Sequence, residues 1–341
     1  MGLRMRRQDF NNIIKNLSKE YKVYAPVTLA GKGNFSDTDS IRYEEVKDGE
    51  KINLVDKSHF SYKEVILPTT QTLFYFTEDQ WMEPKIDDKK ILVFLRSCDM
   101  HGVKRVDQIY LKNGAEDPYY KALRNKVKFV LIGCENSFEN CFCASMGTNK
   151  TADYDMAVND GGGYIEIDVK DNNLSIYFEG VEAEKLDVTP AYVESNDINV
   201  NIPDENKVDL GEVAKLPLWN EYNARCIACG KCNFVCPTCT CNSMQDIFYR
   251  DNKNAGERRR VWASCQVDGY TTMAGGHGFR QDKGQRMRFK VLHKVYDFNK
   301  RFGYHMCVGC GRCDDACPQY ISFSNCVNKL TDALEGGKAN E

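Results

Sequence analysis

The 341-residue chain contains no run of about 18 consecutive apolar residues, and its mean hydropathy is −0.53, so nothing in it is suited to cross a bilayer as a helix. An excess of one charge is also missing: 46 Lys plus Arg stand against 49 Asp plus Glu, a net −3, with 42% hydrophobic residues. That is the composition of an ordinary globular protein, long enough to bury cores in two or three domains. No GxGxxG follows a strand-like run and no GxxxxGK[ST] occurs, which leaves no evident phosphate-binding loop for NADH or a nucleoside triphosphate. Ser/His/Asp sets and paired carboxylates are absent as well, so hydrolytic chemistry has no support and no catalytic residue is assigned. The five histidines, His59, His101, His277, His293 and His305, are scattered and suit hydrogen bonding better than ligation. The opening MGLRMRRQDFNNIIKNL turns polar at Gln8 and lacks the apolar centre of an export signal, and Arg6 stands where N-myristoylation wants Ser or Thr. A cytoplasmic location is expected.

Cysteine, by contrast, is plentiful. Sixteen cysteines in a chain without an export signal point to metal before disulfides, because thiols stay reduced in the cytosol. Cys98, Cys134, Cys141 and Cys143 lie in the first half, and the other twelve fall between Cys226 and Cys326. Two stretches repeat each other: Cys226, Cys229, Cys232 and Cys236 followed by Pro237, and Cys307, Cys310, Cys313 and Cys317 followed by Pro318. Both read CxxCxxCxxxCP, the bacterial ferredoxin spacing for [4Fe-4S] clusters. Two-residue gaps let three thiolates of one loop reach three irons of a cubane, Gly230 and Gly311 relieve backbone crowding, and the proline turns the chain away. In two-cluster ferredoxins the fourth cysteine of each motif serves the other cluster. Cys226, Cys229, Cys232 and Cys317 are therefore assigned to one cluster, and Cys307, Cys310, Cys313 and Cys236 to the second. A pair of zinc knuckles is the competing reading, and runs of four cysteines ending in proline fit it poorly.

About seventy residues, 237 to 306, separate the two motifs. This insertion holds 13 Lys plus Arg against 6 Asp plus Glu. Positive charge near an anionic cluster favours its reduced form, although any single arginine could equally belong to a solvated face. The runs GERRR and RMRFK are basic enough to consider nucleic acid, but no recognised binding module surrounds them. The insertion also carries Cys239, Cys241 and Cys265.

In the first half, Asp9 reads as the N-cap of a helix with Phe10, Ile13, Ile14 and Leu17 on one face. Residues 91–97 and 128–133 read as buried strands. A helix from about Met100 to Leu111 lies between them, and Asp117 and Pro118 open a second. This strand, helix, strand unit implies a parallel pair, and ligands collect beyond the carboxyl ends of such strands. Cys98 and Cys134 each sit just past such an end, with Cys141 and Cys143 on the following loop. These four form the first candidate for a third [4Fe-4S] site; Cys239, Cys241 and Cys265 form the rival set and lack a fourth ligand. Residues 164–169 and 174–178 alternate as a hairpin around Asp171, and the acidic stretch 188–208 reads as a linker. The expected architecture is thus α+β or α/β: an N-terminal domain over 1–210, a dicluster ferredoxin-like domain over 211–330 with its insertion at 237–306, and a tail at 331–341.

With these residues placed, the chain resembles the ferredoxin-like, iron-sulfur subunits of anaerobic sulfite reductases. The likeness runs through FSDTD (35–39), QTLFYF (71–76), RSCD (96–99), SFENCFCASMGTNKT (137–151), RCIACGKC (225–232), CPTCTC (236–241), GERRRVWASC (256–265), MAGGHGFR (273–280) and HMCVGCGRCDDACPQYI (305–321). The beta subunits of cytoplasmic sulfhydrogenases are a more distant likeness, sharing the SCD, CFC and CPTC features and diverging around AGGHGFR. The resemblance implies a non-catalytic electron carrier within an oxidoreductase complex. It would accept electrons from a flavoprotein subunit that oxidises NADH, and pass them to a sirohaem subunit that reduces sulfite to sulfide. A hydrogenase-type relay is the alternative. No nucleic-acid partner and no membrane span are expected.

Overall fold

The computed structural model describes residues 1–35 and 37–336; Ser36 of the FSDTD run and residues 337–341 of the expected tail lie outside the described residues. Among the described residues twelve strands occur in chain order: β1 (Gly2–Arg6), β2 (Tyr21–Leu29), β3 (Ser40–Val46), β4 (Thr70–Phe76), β5 (Trp81–Met82), β6 (Lys90–Leu95), β7 (Val127–Ile132), β8 (Met156–Asp160), β9 (Tyr164–Val169), β10 (Glu184–Lys185), β11 (Asn242–Phe248) and β12 (Gly256–Trp262). The chain divides into two compact units that do not follow a single cut. One comprises 1–67, 86–138 and 147–195; the other comprises 68–85, 139–146 and 196–341. A contiguous boundary near residue 210 thus gives way to two units that exchange segments, because the strands of 68–85 pair with partners late in the chain.

The first unit is built on an eight-stranded mixed sheet in the order β10-β1-β9-β8-β7-β6-β2-β3. Its centre is parallel, with β2 beside β6, β6 beside β7 and β7 beside β8. Strand β6 shows why. Successive side chains point to opposite faces, and Leu92 and Phe94 enter one core while Ile91, Val93 and Leu95 enter the other. Both faces are therefore covered. On one face the helix Arg7–Glu20 contributes Phe10, Ile13, Ile14 and Leu17; on the other the helix Ser97–Leu111 contributes Met100, Val103 and Val106.

Two local expectations are corrected. Asp9 is not the cap: the helix begins at Arg7, and the Asp9 carboxylate accepts from the Arg6 guanidinium at 2.8 Å within the first turn. The hairpin around Asp171 does not form either. Strand β9 pairs with β8 and β1, while Asn172–Ser175 is helical because the Asp171 carboxylate accepts from the amides of Asn173 and Leu174. Asp117 does cap the helix Pro118–Arg124, accepting from the Tyr120 amide at 2.7 Å.

The second unit holds both cysteine motifs and a four-stranded antiparallel sheet in the order β11-β12-β4-β5. The 237–306 insertion is therefore folded: β11 and β12 form its first part, and the helix Lys283–Leu292 continues into a π-helical turn at His293–Asp297. Its core gathers Trp219, Tyr222, Met287, Val291, Val295, Phe323, Val327 and Leu330. The last helix runs Phe323–Gly336, so residues 331–336 continue that helix rather than begin a tail. Among the described residues no helix is long and apolar enough to cross a membrane.

Leu92, fully buried in β6, should be far more sensitive to truncation than Met244 on the exposed face of β11. In urea unfolding, Leu92→Ala is expected to cost about 2–5 kcal/mol and Met244→Ala within about 0.5 kcal/mol; equal costs would contradict the buried centre of the sheet.

Candidate metal centres

The two motifs adopt the same local backbone. Each passes through a left-handed glycine that opens a short helix, Gly230 (φ +75°) before Lys231–Phe234 and Gly311 (φ +70°) before Arg312–Asp315. Side chains are excluded there by space as well as by torsion. A Cβ at Gly230 would stand 2.8 Å from Val267 Cγ2, and one at Gly311 would stand 2.2 Å from the Asn140 carbonyl oxygen. Two residues after the first cysteine the loops repeat again: the Ala228 amide donates to Cys226 Sγ at 3.4 Å and the Gly309 amide to Cys307 Sγ at 3.5 Å. Both residues are left-handed, Ala228 at φ 58° and Gly309 at φ 63°. Amide donation favours a negative sulfur, the form that binds metal.

Two cavities follow from this arrangement. Cys226, Cys229, Cys232, Cys313 and Cys317 line the first, together with Lys290, Gln266 and Met287. The second is lined by Cys232, Cys236, Cys307, Cys310 and Cys313, with Lys290, Lys294, Thr238 and Phe142. Cys232 and Cys313 line both, so each cavity takes three thiols from one motif and two from the other, the last cysteine of that other motif among them. Among the described residues, no three His, Cys, Asp or Glu side chains are grouped to hold a single metal ion. A tetrahedral zinc site would bring its sulfurs to roughly 3.8 Å of one another, whereas a cubane presents a different iron to each thiolate. The all-cysteine donor set, supplied by two CxxCxxCxxxCP loops, fits an iron-sulfur cluster better than zinc.

The remaining thiols are divided between the two units. Cys98 lies in the first turn of the helix Ser97–Leu111 and Cys134 directly follows β7, both in the first unit. Cys141 and Cys143 belong to the second unit, where Cys141 Sγ lies 3.5 Å from the Cys310 carbonyl oxygen and the Phe142 amide donates to the Gly309 carbonyl at 2.8 Å. The rival set lies wholly in the second unit. Cys239 is hydrogen-bonded with Cys236, which pushes its thiol up, and Cys241 with Cys265. That contact, with Gln266 and with Asn233 Nδ2 donating at 3.1 Å, pulls Cys265 down to about 5. A separate polar pocket in the first unit opens at the carboxyl ends of the parallel strands, lined by Arg96, Gly133, Glu135 and Asn159. Its Arg96 guanidinium is committed to the carbonyls of Gly133, Leu54, Val55 and Asp56.

The arginines of the basic insertion are largely engaged in structure. Arg258 pairs with Asp246 across β11 and β12, Arg259 with Glu257, Arg260 with Gln71, and Arg286 with Asp268. The charges that reach the cavities are instead Lys290 and Lys294. Composition concealed them among the other basic residues of the insertion, and their one signal was a spacing of four residues, which places two helical side chains on one face.

Residues 225–321 match the family described as a 4Fe-4S dicluster domain. The chain therefore carries such a domain. The sulfhydrogenase 2 subunit beta of Pyrococcus furiosus is 28% identical over 350 aligned residues, covering 97% of this chain and 99% of that protein. No solved structure matches the chain.

Ala228 and Gly309 make a paired test of the loop geometry. Ala228→Gly relieves a left-handed side chain and should stabilise the loop by about 1 kcal/mol. Gly309→Ala should cost more than that, because its Cβ would stand 2.5 Å from the Phe142 carbonyl oxygen. Thermal melts of the anaerobic protein read both, and a Gly309→Ala protein as stable as the parent would refute the loop geometry.

Proposed function

We propose that the protein is the electron-transfer component of a multisubunit oxidoreductase, holding two [4Fe-4S] clusters. Cys226, Cys229, Cys232 and Cys317 bind the first, and Cys307, Cys310, Cys313 and Cys236 the second. The observation that carries this reading is the pair of cavities, each lined by three thiols of one motif and by the last cysteine of the other, with Cys232 and Cys313 lining both, inside the segment matching a 4Fe-4S dicluster domain. When bound, the clusters supply one-electron carriers. The chain's own contribution is to hold the thiolates in place, to donate amide hydrogens to their sulfurs and to shield them from water.

The relation to a sulfhydrogenase beta subunit over 97% of the chain favours a hydrogenase-type assembly over the sulfite reductase expected from the motif runs. The sulfite reductase reading keeps one specific support, the AGGHGFR segment at 274–280, where the sulfhydrogenase likeness diverges. Purification of the native complex separates them: nickel in the partner subunit establishes the first, and sirohaem the second. In either assembly an NADH-oxidising flavoprotein would supply the electrons, and the complex would work in the cytoplasm.

Anaerobically purified protein should contain about eight irons and eight acid-labile sulfides per chain, from two cubanes. About twelve would add a third, and serine variants of Cys98 and Cys265 would then tell which thiol set holds it. Cys310→Ala is expected to lose about half of the iron and to stop electron throughput in the complex, while NADH still reduces the flavin. Full iron with unchanged turnover would sink the assignment.

A further inference from the structure

Two ammonium groups are buried in the second unit. Lys290 is 5% exposed and Lys294 is 3% exposed. Lysine is almost never fully buried unless paired. Here both side chains lie among motif sulfurs, Lys290 lining both cavities with Cys232 and Cys313, and Lys294 lining the second with Cys236 and Cys307. The ammonium of Lys294 stands 3.4 Å from Cys236 Sγ and 2.6 Å from Thr238 Oγ1. The one carboxylate lining the first cavity, Asp314, accepts from the Phe323 amide and from the hydroxyls of Ser322 and Ser324.

The two lysines do not see the same sulfurs. Lys290 lines both cavities and faces Cys232 of the first motif and Cys313 of the second. Lys294 lines only the second cavity, and Cys236 and Cys307 beside it line that cavity and not the first. The backbone supports this placement. The π-helical turn at His293–Asp297 leaves the Lys294 carbonyl to accept from the amides of Met306 and Cys307 at 2.9 and 3.2 Å, so the residue that brings charge to the second cavity also holds the start of the second motif.

We propose that Lys290 and Lys294 are the built-in counter-charges of the cluster sites, Lys290 shared by both and Lys294 serving the second alone, and that they raise the reduction potentials of the clusters they face. The inference rests on the cluster reading above. A four-thiolate cluster gains one negative charge on reduction, and a fixed positive charge in a poorly screened interior stabilises the reduced form more than the oxidised one. Neither lysine binds metal in this scheme; both are positioning residues.

The test is an EPR-monitored redox titration of the full chain, purified anaerobically with its clusters, for the parent and for Lys290→Met, Lys294→Met and the charge-keeping Lys290→Arg and Lys294→Arg. The Cys310→Ala protein, which keeps only the first cluster, assigns the signals. Lys290→Met should lower both midpoints by at least a tenfold change in the reduction equilibrium, about 59 mV for one electron. Lys294→Met should lower only the second by that amount, and the arginine variants should stay closer to the parent. Met variants with full iron and parental midpoints, or with raised midpoints, would overturn the proposal. If a Met variant loses its iron, retention by the matching Arg variant supports the charge requirement, and loss in both shows a purely steric role and overturns it. A parent protein without iron would instead overturn the cluster reading on which the inference depends.

Discussion

Burying negative sulfur is the constraint on which the second unit is organised. Eight cysteines, most of them partly buried, line two cavities of one unit, where a charge removed from water is costly unless hydrogen bonds and opposite charge replace the solvent. The loops meet this need locally through amide donors aimed at Cys226 and Cys307, and through left-handed turns that only a small residue fits. The rest comes from a single helix that brings two ammonium groups to the sulfurs.

That helix explains why so long a segment stands between two motifs that must meet. A two-stranded hairpin and a helix fill it, and each is tied into a larger element. The hairpin joins β4 to form a sheet, pairing most of its arginines with neighbours on the strands. The helix packs Met287, Val291 and Val295 into the apolar core and turns Lys290 and Lys294 towards the cavities. Positive charge in the insertion thus has two distinct uses, cross-strand pairing at the surface and compensation inside.

The first unit follows a different logic. Its parallel strands are apolar on both faces because helices cover both, so their residues read as continuous apolar runs. Strands β6 and β7 were legible for that reason, as was the Asp117 cap. The helix at Asn172–Ser175 was not, because an alternating pattern over a few residues suits a strand and a short helix equally, and the Asp171 side chain made the choice. The boundary was hidden for a related reason: composition changes along the chain, whereas β4 joins its sheet through hydrogen bonds to residues nearly two hundred positions away.

Cysteine spacing alone determined the chemistry of this protein, since two-residue gaps followed by a longer one and a proline are set by the reach of thiolates around a cubane, a local property of one loop. Only the tertiary structure decided which thiols share a cavity, that Cys98 and Cys134 fall in a different unit from Cys141 and Cys143, and that Lys290 and Lys294 rather than the conspicuous arginine runs supply the buried charge. Those outcomes depend on which distant segments pack together, and packing is governed by burial and charge compensation in three dimensions, which spacing along a chain does not encode.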